Sequence, residues 1–256
     1  MAASVFGRLG GLSVTMLAIM TLVSACAVSV GGTARPAPGL RPRPLAGPSV
    51  EAVLLDRTVL SRILKQPMII DHRFPQRSGG PEALQAGASA TSPECLGVVG
   101  MLDRTVYRSG RVQGVAVEGW RHASMSAAVT EVREGVVSLP TAADADALFA
   151  EFTGQWQHCD GKTQPLSDSV FRINATIGKV HIAGPVLDAT VRFALASSAA
   201  DGQFVPAVRV IGVSRNCLVE VEVDFFGMSS PQGRIAIDNS AQDIAHAMMD
   251  RISALN

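Results

Sequence analysis

From Val219 to Phe225 the chain alternates without a break. Cys217, Val219, Val221, Val223 and Phe225 fall on one side, and Glu220, Glu222 and Asp224 on the other. A period of two marks a β-strand packed on one face, and an antiparallel sheet with one wet side produces it readily. The carboxylate row is expected to be the solvent face. The alternative is a site for a cation or a basic ligand, because same-face strand residues stand close together. Further strands are expected over residues 112–119, over 124–139 as one long strand or a hairpin, and over 169–175, 178–184, 190–196 and 206–213.

Helical spacing appears in three places. Residues 50–65 carry Val53, Leu54, Leu60, Ile63 and Leu64 as two short helices broken near Asp56. Thr141, with Asp144 three residues on, opens a helix in the manner of a capping box; its apolar stripe is Ala145, Leu148, Phe149, Phe152 and Trp156. A last helix runs from Ser240 to about Ala254, burying Ala241, Ile244, Ala245, Met248, Ile252 and Leu255. Residues 75–93, rich in Pro, Gly, Ser and Ala, read as a long loop. The order of elements predicts an α+β fold over residues 50–256, with a central antiparallel sheet and helices packed on one face.

The N-terminus has a different pattern. Arg8 precedes an uncharged apolar run over residues 12–23, shorter than the about 20 residues that span a bilayer. Residues 1–25 are expected to be a secretory signal peptide. Val23, Ser24, Ala25 and Cys26 resemble a bacterial lipobox, which makes Cys26 the expected site of lipidation. Two or more acyl chains give stable anchoring. Residues 26–49 then form a linker containing Pro36, Pro38, Pro42, Pro44 and Pro48, partly in the polyproline II conformation. The expected location is the extracytoplasmic face of the cell membrane.

Hydrophobic residues make up 47 % of the chain and charged residues 17 %, a composition that builds a core. Acidic and basic residues balance at 22 each, so charge offers no case for a nucleic-acid partner. Export puts Cys95, Cys159 and Cys217 where disulfides last. A Cys95–Cys159 bridge would close a long loop, leaving Cys217 as a buried thiol or as the true partner of one of the other two. His158, Cys159 and Asp160 are adjacent, but no second ligand pair at zinc spacing accompanies them. None of the five histidines is singled out, and His246 falls on the outer helix face. No G-x-S-x-G, Walker or G-x-G-x-x-G motif is present. No catalytic, metal or cofactor-binding residue is expected.

Four stretches carry a resemblance: VEAVLLDRTVLSRIL, PECLGVVGMLDRTVYRSG, FAEFTGQWQHCDGK and RNCLVEVEV before the last helix. Together they resemble the extracellular sensor domain of PknH-type mycobacterial kinases, a domain that also occurs alone in lipoproteins. The resemblance implies an antiparallel α+β domain with a cleft and intramolecular disulfides. It favours pairing of Cys95 with Cys159 and leaves Cys217 outside the family's two-bridge pattern. It also implies binding or sensing of a small molecule or envelope component rather than catalysis. The alternatives are an envelope interaction or scaffold lipoprotein and, third, a hydrolase.

Overall fold

Among the described residues ten strands form one sheet: β1 (Met68–Ile70), β2 (Arg77–Gly79), β3 (Ser89–Ala90), β4 (Gly114–His122), β5 (Val129–Ser138), β6 (Thr163–Ser167), β7 (Arg172–Ala183), β8 (Val186–Leu195), β9 (Val205–Ser214) and β10 (Cys217–Phe225). Their order is β1-β4-β5-β10-β9-β8-β7-β6-β3, with β2 beside β4. Every pair is antiparallel. This computed structural model describes residues 43–85, 89–90, 93–108, 111–124, 128–167, 172–197, 204–226 and 238–255. Contacts divide the chain into Met1–Arg41 and Pro42–Asn256, and all described residues belong to the second unit.

Tight turns set the register. Arg215, at φ 55°, turns the chain between β9 and β10. Gly184, at φ 59°, and Pro185 connect β7 to β8, a pairing of positive φ and ring-fixed φ that suits a two-residue hairpin. The expected strands 169–175 and 178–184 are one strand, β7. A register irregularity between Gly178 and His181, with Lys179 at φ 53°, bends it without ending it.

The helices are α1 (Arg57–Leu64), α2 (Leu96–Val99), α3 (Ala142–Cys159) and α4 (Ser240–Leu255). They cover both faces of the sheet, not one. Neighbouring strand residues point to opposite faces. Leu218 and Ile211 pack with the α3 stripe Ala145, Leu148, Phe152 and Trp156, whereas Val219 and Val210 pack with Ala241, Ile244, Ala245, Met248 and Ile252 of α4. Element order along the chain carries no information about which face a helix returns to. Leu255, expected in the core, is 45 % exposed because it ends the last turn.

Local chemistry explains the helix starts. Thr141 Oγ1 accepts from Asp144 N at 3.1 Å. Asp56 Oδ1 accepts from Thr58 N and Val59 N at 2.9 and 3.1 Å, which separates α1 from the 3-10 helix Gly47–Val53. Residues 45–49, assigned to the linker on composition, belong to the fold. Leu45 is buried and its main chain is held by Asn216, through Leu45 N to Oδ1 at 2.9 Å and Nδ2 to Leu45 O at 3.0 Å.

Candidate functional site

The face of the sheet that carries α2 and α3 changes character along its length. Apolar contact with α3 gives way to three successive cross-strand rungs with charged residues. The first joins Gly135, Glu220 and Ile211; the second Gly119, Arg133, Glu222 and Arg209; the third Arg121, Glu131, Asp224 and Ala207. The carboxylate row is therefore not a solvent face, for Glu220 and Glu222 are each 1 % exposed. The alternation holds, but both faces of the strand are covered, so the polar side needs partners instead of water.

Those partners are cations and donors that spacing alone did not bring together. Arg209 Nη2 donates to Glu220 Oε2 at 2.6 Å, and its Nε lies 3.5 Å from Glu222 Oε2. Nε of Arg209 also donates to Val98 O at 3.2 Å, at the end of α2. Arg133 pairs with Glu222 from the other side. Tyr107 donates its hydroxyl to Glu220 Oε1, and Leu102 N donates to Glu220 Oε2 at 3.2 Å. Burial, aided by the Glu220 charge, lifts the Tyr107 hydroxyl well above the usual phenol range. Burial also pushes the Asp224 carboxyl up to about 6 against the pull of Arg133. Besides the carboxylate row, a lone arginine in the apolar run VPAVRVIGV is the sequence signal for this network, because a buried guanidinium calls for a carboxylate.

Between β1 and β2 the segment Asp71–Gln76 arches past the sheet at Gly119. Asp71 N donates to Gly119 O at 2.9 Å and Gly119 N to Phe74 O at 3.1 Å. Any Cβ at position 119 would come within 2.7 Å of the Phe74 Cβ, so glycine permits this close approach. Arg73 grips Asp71 through two nitrogens and reaches Glu131 at 2.9 Å, which holds the Asp71 carboxyl below its ordinary range. The guanidinium carbons of Arg73 and Arg133 lie 5.7 and 5.4 Å from the centre of the Phe74 ring, within cation–π reach.

Beneath this segment lies a pocket of about 60 Å³, lined by Arg73, Phe74, Pro75, Arg77, Gln85, Val117, Glu118 and Arg133. A second, of about 80 Å³, sits beside α3 at Val106, Leu148, Glu151, Phe152 and Gln155. The first has room for a small polar group or a few waters. On the opposite face, Glu118 pairs across strands with Glu134. Glu134 is fully buried and accepts from Leu55 N at 3.1 Å and Trp120 Nε1 at 3.2 Å. Burial raises its carboxyl to about 8 despite those donors.

Cys26 lies outside the described residues. Cys95 and Cys159 are joined by a disulfide, with 5.7 Å between their Cα atoms. Cys217 is a buried free thiol that burial pushes up to about 12. His158 is a surface residue, 2.7 Å from Lys162 Nζ and 3.8 Å from Glu94. Among the described residues no group of three or more His, Cys, Asp or Glu is placed to hold a metal ion. No described helix is long and apolar enough to cross a membrane.

Sheet, covering helices and pocket define an α+β domain with an arginine-lined concavity near one sheet edge. The chain belongs to the PknH-like extracellular domain family, which matches residues 45–251. Among solved structures it is similar to the extracellular domain of PknH from Mycobacterium tuberculosis, at 19 % identity and a TM-score of 0.68, over 83 % of this chain and 98 % of that one. A hypothetical protein from Helicobacter pylori aligns over 48 % of this chain and 84 % of its own, at 10 % identity and a TM-score of 0.28, and nothing is drawn from it. No curated protein matches the chain.

Proposed function

We propose that this protein is a non-catalytic extracytoplasmic sensing module, held to the cell membrane by lipid on Cys26, that binds a small molecule or envelope component at the Arg73–Arg133 pocket. The observation that carries the reading is a pocket whose polar walls are fixed before any ligand arrives. Arg133 is held by Glu222, and Arg73 by Asp71 and Glu131. Donors already locked by ion pairs lose little freedom on binding, which is how preorganisation raises affinity. Family membership supports the extracellular setting, and the disulfide suits an oxidising compartment.

Two experiments test the reading. Mass spectrometry of the natural product is expected to find acylated Cys26 at the N-terminus, and an unmodified or differently processed N-terminus would remove the anchor. Thermal-shift titration with cell-envelope extracts is expected to raise the melting temperature, because a ligand that binds only the native state stabilises it. The absence of any shift across fractionated extracts would remove the sensing role.

A further inference from the structure

We propose that the pocket under the Asp71–Gln76 segment takes a small oxyanion, the phosphate group of a soluble molecule or of a lipid headgroup, and that Arg77 donates to it at the mouth. This deepens the sensing role and rests on that reading. Three arginines, Arg73, Arg77 and Arg133, are among the residues that line the pocket, with Gln85 beside them. One carboxylate residue, Glu118, also contributes to the wall. Strand alternation turns its side chain to the opposite face, with Ala116 and Trp120 and across from Glu134. The acids that touch these arginines are not among the residues that line the pocket. Asp71 and Glu131 hold Arg73, and Glu222 holds Arg133.

One donor is not used up. Arg133 Nε has no hydrogen-bond partner and lies 3.4 Å from Glu131 Oε1, but it is buried, so Arg133 acts on the pocket through its charge and the free donor is Arg77. Arg77 is exposed and has no side-chain partner among the described residues. Planar guanidiniums matched to oxyanions form the strongest class of protein hydrogen bond. With about 60 Å³ of space, the pocket admits a head group, while a larger ligand would leave its remainder outside.

Calorimetric titration of the full chain with inorganic phosphate at low ionic strength tests the assignment. Wild type should show saturable one-site binding, and Arg77→Ala should weaken it about tenfold, the worth of one charge-assisted hydrogen bond. Arg57→Ala, which removes an exposed arginine from α1, should leave it unchanged. An unchanged melting temperature of Arg77→Ala confirms that the fold survives. No saturable binding, or equal weakening by Arg57→Ala, overturns the proposal. Sedimentation of the unlipidated Cys26→Ser chain, with and without Arg77→Ala, on phosphatidylcholine vesicles with and without phosphatidylglycerol identifies the source, because an acylated chain would bind any bilayer. A phosphatidylglycerol-dependent fraction that Arg77→Ala loses marks a lipid headgroup, and equal sedimentation of both proteins marks a soluble phosphate. If envelope extract stabilises wild type and Arg77→Ala alike while phosphate does not bind, the oxyanion assignment falls and the sensing role stands. If neither acts, both fall.

Discussion

Arg209 and Glu220 meet at 2.6 Å between neighbouring strands of the sheet, with side chains 0 % and 2 % exposed. A buried pair of this kind is not itself a large source of stability, because desolvation offsets most of the attraction. Removing one partner is a different matter. Arg209→Met leaves Glu220 without its cation and Glu222 with Arg133 alone, and is expected to lower unfolding free energy by about 3–5 kcal/mol. Arg209→Met combined with Glu220→Leu should recover a large part of that loss. Urea unfolding of the two variants checks both expectations.

Glu134 predicts a pH dependence with a definite sign. Its carboxyl is raised by burial from 4.5 to about 8 in the folded chain, so the native state favours the protonated form. The stabilisation is complete below about 4.5 and is lost as pH rises through about 8. The slope in that window is at most about 1.4 kcal/mol per pH unit. Glu134→Gln should flatten it, leaving the variant more stable than wild type at pH 8. Chemical denaturation at pH 5 and pH 8 measures the difference.

The disulfide joins residues 64 positions apart in sequence. Closing a loop of that length restricts the unfolded chain by about 4 kcal/mol in the chain-entropy account. Reduction should lower the melting temperature, and Cys95→Ala with Cys159→Ala should do so without reductant. Cys217 should resist alkylation in the native protein and react once guanidinium unfolds it, because only the thiolate attacks and burial disfavours it. Mass spectrometry after iodoacetamide treatment, with and without guanidinium, reads out both thiol states.

Asp56 does two jobs that substitutions separate. It caps α1 and meets Arg251 of α4 at 2.9 Å. Asp56→Asn keeps the capping oxygen and should cost only a few tenths of a kcal/mol, as an exposed ion pair contributes little. Asp56→Ala loses the cap and should cost about 1 kcal/mol. Thermal unfolding of the two variants side by side distinguishes cap from charge.

Much of the fold was legible locally. The cap at Thr141, the break at Asp56, the α3 stripe and the alternation of β10 depend on residues close in sequence, where hydrogen-bonding reach and side-chain period decide the outcome. The site was legible only in fragments. Glu220, Glu222 and Asp224 stood out as a row, but Arg133, Arg209 and Arg73 come from other strands and from a connecting segment. Phe74 and Gly119 gain meaning only once those segments touch.

By itself the sequence determined which side chains share a strand face, where the helices begin, and which stretches resemble the sensor family. Tertiary structure decided which face is dry: α3 and α4 pack on opposite sides of one sheet, and a period of two is silent on what covers either side. The carboxylate row thereby became the interior of a charged network instead of a wet surface. A carboxylate buried in its charged form needs a cation within reach, and only the pairing of β5, β9 and β10 brings Arg133 and Arg209 to the two sides of Glu222.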